Sequence, residues 1–132
     1  MHTPWTDWLD NPHRRPLWRW ALLLLMAVIC WLAFTPKPPT LGPLDYSDKL
    51  QHLLAFVTLA LVASQAARPA KLNTLWVFLF LLLYGGFIEV VQTWLPPRHG
   101  DWVDLFADAM GIGVGLGMVA ALRWRLRPDL PQ

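Results

Sequence analysis

The sequence predicts an all-α protein, an antiparallel bundle of four transmembrane helices with both termini on the cytoplasmic side. Three observations predict it. Apolar residues make up 55% of the 132 residues and charged residues 15%, against roughly 25% charged in an ordinary soluble domain. The apolar residues fall in four long runs, and the charges fall in the gaps between them. Alternation with period two is absent, which excludes a barrel, and only helices satisfy the backbone of such long lipid-exposed runs. The same balance excludes a disordered chain, a disulfide scaffold and a coiled coil. A formal net charge of +2 without a basic stripe leaves nothing to hold nucleic acid.

The first run, Trp20 to Phe34, has fifteen residues without a polar side chain. With Leu17, Trp18 and Thr35 it gives a helix over about 17–35, long enough for a hydrocarbon core of roughly 30 Å. Arg14, Arg15 and Arg19 would also flank a cleavable signal peptide. Thr35-Pro36-Lys37-Pro38-Pro39 stands where a small-residue cleavage site should be, so an uncleaved anchor is the preferred reading. Cys30 is the one cysteine. It precludes an intrachain disulfide and reads as buried filler, with no cation beside it to activate the thiol.

The second run, about 50–67, carries Gln51, His52, Thr58, Ser64 and Gln65. Alone it would suit a buried or interfacial helix. The third spans about 72–95 and the fourth about 102–124, each with a long uninterrupted apolar centre. The connectors Pro36 to Ser47, Arg68 to Lys71 and Pro96 to Asp101 are short, so neighbouring helices should be antiparallel. The organisation expected is a cytoplasmic segment over 1–16, one membrane domain over 17–124 and a cytoplasmic tail over 125–132. Trp5, Trp8 and Leu9 would share one face if Met1 to His13 lay along the membrane surface.

Lys and Arg in the loops set the orientation. With the N-terminus inside, eight of them are cytoplasmic, and only Lys37, Lys49 and Arg98 lie outside. Trp18, Trp20, Trp76 and Trp124 then mark the inner interface, and Trp31, Trp94 and Trp102 the outer one, as aromatic belts do.

The polar residues within the runs collect at the outer end. Asp48, Lys49 and His52 open the second helix, and Glu89 and Gln92 close the third. Arg98, His99 and Asp101 occupy the turn, and Asp104 and Asp108 open the fourth. Their spacings put each set on one helical face. Ionisable residues below the headgroups are costly and by default mark function. Glu89 lies six residues inside Leu95, roughly 9 Å at about 1.5 Å per residue. Asp48, Glu89, Asp101, Asp104 and Asp108 against Lys49 and Arg98 leave a net charge of −3. Protonated carboxyls, a charged His52 or a bound cation would relieve it. Asp48 and Asp101 also suit N-caps, Lys49 and Arg98 interface anchors, and His99 a solvated turn residue. Gly111/Gly115 and Gly113/Gly117 are small-xxx-small pairs, expected to face Gly85-Gly86 and draw the third and fourth helices together.

Asp48-Lys49-x-x-His52-x-x-Ala55-Phe56, then Glu89-x-x-Gln92, then Arg98-x-x-Asp101-x-x-Asp104-x-x-x-Asp108-x-x-Gly111 resembles the VanZ-like family of bacterial membrane proteins. The resemblance runs from about Asp45 to Gly117, and the order and spacing of three motifs make it specific. The family usually has Asn where this chain has Asp108, a departure that adds a negative charge. The resemblance implies a small multi-pass protein of the bacterial inner membrane and cell envelope. The founding member is associated with teicoplanin resistance, and no glycopeptide-resistance role is carried over to this chain.

The function expected first is a polar pocket at the extracytoplasmic leaflet that binds or modifies an envelope lipid or lipid-linked glycan. His52, Glu89 and Asp104 would move protons if there is chemistry. Asp48, Lys49, Gln92, Arg98, Asp101 and Asp108 would bind the ligand, with Lys49 and Arg98 facing phosphate. Asp101, Asp104 and Asp108 would hold Mg²⁺ or Ca²⁺ if a metal takes part, since hard cations prefer oxygen. One alternative is a structural or partner-binding subunit in which the polar residues clasp the helices. A small proton-coupled exporter is another, disfavoured because its essential carboxylate should lie near mid-membrane. Whether the protein is an enzyme stays open at this level.

Overall fold

The structure, a computed structural model, describes residues 11–36, 47–67, 71–96 and 99–125. The proposed surface-lying segment up to residue 10, Arg98 and the tail beyond residue 125 lie outside the described residues. A 3-10 turn, Pro12–Arg14, leads into α1 (Arg15–Phe34); α2 (Ser47–Ala66), α3 (Lys71–Gln92) and α4 (Trp102–Arg125) follow. All four helices are long and apolar enough to cross a membrane.

Hydrogen bonds between helices fix their directions. Gln92 at the end of α3 donates to the carbonyl of Ala33 at the end of α1. Lys49 at the start of α2 donates to Asp104 at the start of α4, and Arg123 at the end of α4 donates to the carbonyl of Ser64 at the end of α2. α1 and α3 therefore run one way, and α2 and α4 the other. This is the up-down order that short connectors require.

α2 is the hub, and its contact with α4 is the most extensive in the bundle. Phe56, Leu59, Ala60 and Ala63 of α2 are buried with Leu81 of α3 and Ile112 of α4. α1 buries no residue and lays Leu22, Leu25, Met26 and Ile29 against this core from outside. Trp20, Leu83, Trp94, Trp102 and Phe106 point outward. So much exposed apolar surface would drive association in water; here it is the face presented to lipid.

The polar residues of α2 do not weaken it as a span. Thr58 donates to Leu54 O and Ser64 to Ala60 O, so each hydroxyl is satisfied within its own helix. Tyr84, inside an otherwise apolar run, donates to Met26 O at 2.6 Å and lies 3.2 Å from Cys30 Sγ. Cys30, expected as buried filler, is only partly buried and packs beside a hydroxyl that ties α3 to α1.

Three sequence expectations change. α2 begins at Ser47, three residues before the apolar run, so Asp48 lies within the first turn and is not its N-cap. α3 ends at Gln92. Thr93, Trp94 and Leu95 form a turn bonded back to Glu89, Val91 and Gln92, so Glu89 is in the final helical turn. The glycine ridge of α4 meets α2 and not α3. A Cβ on Gly111 would strike the Leu53 carbonyl oxygen, and one on Gly115 would lie 2.7 Å from Ala60 Cβ. Gly113, Gly117 and Gly86 have open space around them.

Candidate functional site

The site sits where the starts of α2 and α4 meet the end of α3. α2 and α4 run parallel and in register, so side chains one turn apart on α2 meet side chains one turn apart on α4. This creates two polar layers.

The outer layer belongs to Lys49. Its Nζ donates to Asp101 Oδ2 at 3.0 Å and to Asp104 Oδ1 at 2.9 Å. Asp104 is buried, while Lys49 and Asp101 are partly open. Asp101 also caps α4 as expected, its Oδ1 accepting from the Val103 N–H. That hydrogen bond first, and the Lys49 ammonium second, hold the Asp101 carboxyl below the usual carboxylate range.

The inner layer belongs to His52. Its Nδ1 lies 2.9 Å from Asp108 Oδ1 and 3.8 Å from Glu89 Oε1. Asp108 is wholly buried, and Glu89 nearly so. Glu89 Oε2 accepts from the Asp101 N–H at 2.8 Å, which joins the layers and fixes the turn between α3 and α4. Gly85 makes room for Asp108: a Cβ there would come within 2.5 Å of Asp108 Oδ2. Glu89 Oε1 and Asp108 Oδ2 are buried and accept no hydrogen bond among the described residues.

Six of the nine candidate residues therefore come together: Lys49, His52, Glu89, Asp101, Asp104 and Asp108. Asp48 is exposed at the edge, with an oxygen near His52 and Asp104. Gln92 spends its amide on α1, a fastening role that its place beside Glu89 on the same face did not reveal. Arg98 is outside the described residues. His99 is exposed, in keeping with a solvated turn residue.

The metal set changes too. Asp101, Asp104 and Asp108 share a face of α4 but part company at α2, where Lys49 takes the first two and His52 the third. Among the described residues, the sets whose ligand atoms lie within 4.8 Å of one another are Asp48/His52/Asp104 and His52/Glu89/Asp108. Both contain an imidazole. Sequence reasoning missed Gly85 as the wall behind Asp108 and Tyr84 as a fastener. A lone hydroxyl in an apolar run was the available signal for Tyr84; Gly85 was legible as a point of close approach to α4, not as the wall behind a carboxylate.

The chain matches the family model described as VanZ/LLP1 over residues 18–123. No curated protein and no solved structure matches the chain.

Proposed function

The chain belongs to the VanZ/LLP1 family, and from that premise we propose that this multi-pass membrane protein uses the polar end of its bundle to bind an anionic envelope lipid or lipid-linked glycan. The loop charges argue that this end faces the extracytoplasmic leaflet of the bacterial inner membrane. The carrying observation is the pair of unpartnered buried oxygens, Glu89 Oε1 and Asp108 Oδ2. Buried polar atoms in native structures are nearly always paired, and an internal clasp evolved for stability would pair them. A binding site holds such acceptors ready for what they can bind: a donor hydroxyl of the headgroup or glycan, or a cation that bridges to its phosphate.

In this reading Lys49, one-third exposed at the mouth, faces the phosphate. His52 is the group able to exchange a proton with a bound headgroup, with Asp108 and Glu89 fixing its ring. Asp104 holds Lys49 in place. The lipid tail would lie against the outward apolar faces of α3 and α4.

Thermal melting in detergent tests this. Short-chain polyprenyl phosphate at a hundredfold excess over its Kd should stabilise the wild type by about 2.7 kcal/mol. The matching polyprenyl alcohol should do far less, and Glu89→Gln should lose the effect. Equal shifts with phosphate and alcohol, or an undiminished shift in Glu89→Gln, would contradict the proposal.

One observation favours the clasp as second reading. Lys49 bridges α2 to α4 and Gln92 bridges α3 to α1, so part of the polar end does fasten helices. The clasp explains these residues and leaves the two unpartnered oxygens unexplained.

A further inference from the structure

Glu89 and Asp108 present a specific electrostatic problem. Their side chains are 9% and 0% exposed. An ionised carboxylate only accepts hydrogen bonds, and one oxygen of each accepts none among the described residues. Glu89 Oε1 is aimed at His52 Nδ1, but at 3.8 Å the separation is too long for a hydrogen bond. Even a protonated His52 would leave the trio at net −1.

We infer that His52, Glu89 and Asp108 form a binding site for a divalent transition-metal cation of the Zn²⁺ class. One ligand comes from each of α2, α3 and α4, and their ligand atoms lie within 4.8 Å of one another. Nitrogen and oxygen ligands at about 2.0–2.2 Å from a tetrahedral centre stand about 3.4 Å apart. The 2.9 Å and 3.8 Å separations from His52 Nδ1 straddle that value, so small side-chain adjustments complete the geometry. A neutral imidazole, two carboxylates and a dication sum to zero, which removes the buried charge. Binding breaks the His52–Asp108 hydrogen bond and displaces a proton if Nδ1 carries one. The imidazole selects against Mg²⁺ and Ca²⁺, which take oxygen ligands.

The neighbouring set Asp48/His52/Asp104 is the weaker host. Asp48 is exposed, and Asp104 already holds the Lys49 ammonium, which a metal would have to displace. A fourth coordination position is left for an outside ligand. The site rests on the lipid reading for the identity of that ligand, a phosphate oxygen, and for nothing else.

Calorimetric titration of the full-length protein in detergent, without added lipid, tests the site with Zn²⁺, Mn²⁺, Mg²⁺ and Ca²⁺ in turn. One Zn²⁺ per chain is expected, at least tenfold tighter than Mn²⁺, Mg²⁺ or Ca²⁺. Glu89→Gln and Asp108→Asn should each weaken it at least tenfold, and both should weaken it more than Asp48→Asn does. Co²⁺ loading of the wild type gives a readout independent of variant folding, with the visible bands of a tetrahedral nitrogen–oxygen site expected. Absence of Zn²⁺ binding, a preference for Mn²⁺, Mg²⁺ or Ca²⁺, an octahedral Co²⁺ spectrum, or loss in Asp48→Asn with retention in Glu89→Gln would overturn the assignment. The two readings fail separately. Metal binding without polyprenyl phosphate binding keeps the site and removes the lipid, whereas lipid binding in a protein that binds no metal does the reverse.

Discussion

Replacing Gly111 with leucine is expected to separate α2 from α4 and abolish the folded bundle. At this position α4 touches the backbone of α2: even a Cβ would meet the Leu53 carbonyl oxygen and lie 3.1 Å from Phe56 Cβ. A backbone carbonyl in the middle of a helix cannot rotate aside, so the helices themselves must part. The cost should reach or exceed the upper end of the roughly 1–3 kcal/mol typical of overpacking. The contact matters doubly because Leu53 follows His52, and Gly111 lies one turn beyond Asp108. Parting the helices there pulls apart the 2.9 Å pair at the centre of the site. Gly113→Leu is the control, since nothing lies within 4 Å of a Cβ at that position. The measurement is the yield of monodisperse protein in mild detergent together with its melting temperature. A Gly111→Leu protein as stable as Gly113→Leu would contradict the packing described.

Lys49→Met is expected to destabilise the bundle strongly, through what it leaves behind. Asp104 is buried, and Lys49 is its cationic partner at 2.9 Å. Removing one member of a fully buried ion pair costs roughly 3–5 kcal/mol, because the other charge is left uncompensated. Lys49 is one-third exposed, so water can reach part of the vacated space and about 2 kcal/mol is the reasonable expectation. Adding Asp104→Asn should recover most of that loss, because the stranded charge goes with it. A double-mutant cycle read by thermal or chemical unfolding measures the coupling. Equal and additive losses in the two single variants would mean that the pair contributes nothing of its own.

The four spans were legible because lipid imposes a length and a composition that few other environments impose. Their ends were less so. Hydropathy stops where Ser47, Asp48 and Lys49 begin, yet these residues are helical: Asp48 suits a helix N-terminus, and Lys49 is held there by Asp101 and Asp104. The same bias carried α3 too far, since Trp94 and Leu95 are apolar but sit in a turn. The site was legible as a set, because carboxylates and a histidine inside apolar helices stand out against their surroundings. Its pairing was not. The spacing of Asp101, Asp104 and Asp108 says that they share a face of α4; it cannot say that α2 presents Lys49 to the first two and His52 to the third. The glycines of α4 likewise announced a close approach without naming the partner helix. Such facts belong to the register between helices, which depends on how whole surfaces fit.

The account stands or falls on whether the inner layer is built for a ligand or for stability, and the ligand-free melting temperature of Glu89→Gln against wild type separates the two most directly. Glutamine keeps an oxygen to accept from the Asp101 N–H and removes the charge from the unpartnered position. A site holding charge ready for a ligand should therefore melt at the same temperature or higher when that charge is removed, while losing its response to ligand. A clear drop in the ligand-free melting temperature, with ligand response intact, would show that Glu89 serves the fold and would contradict the binding site proposed here.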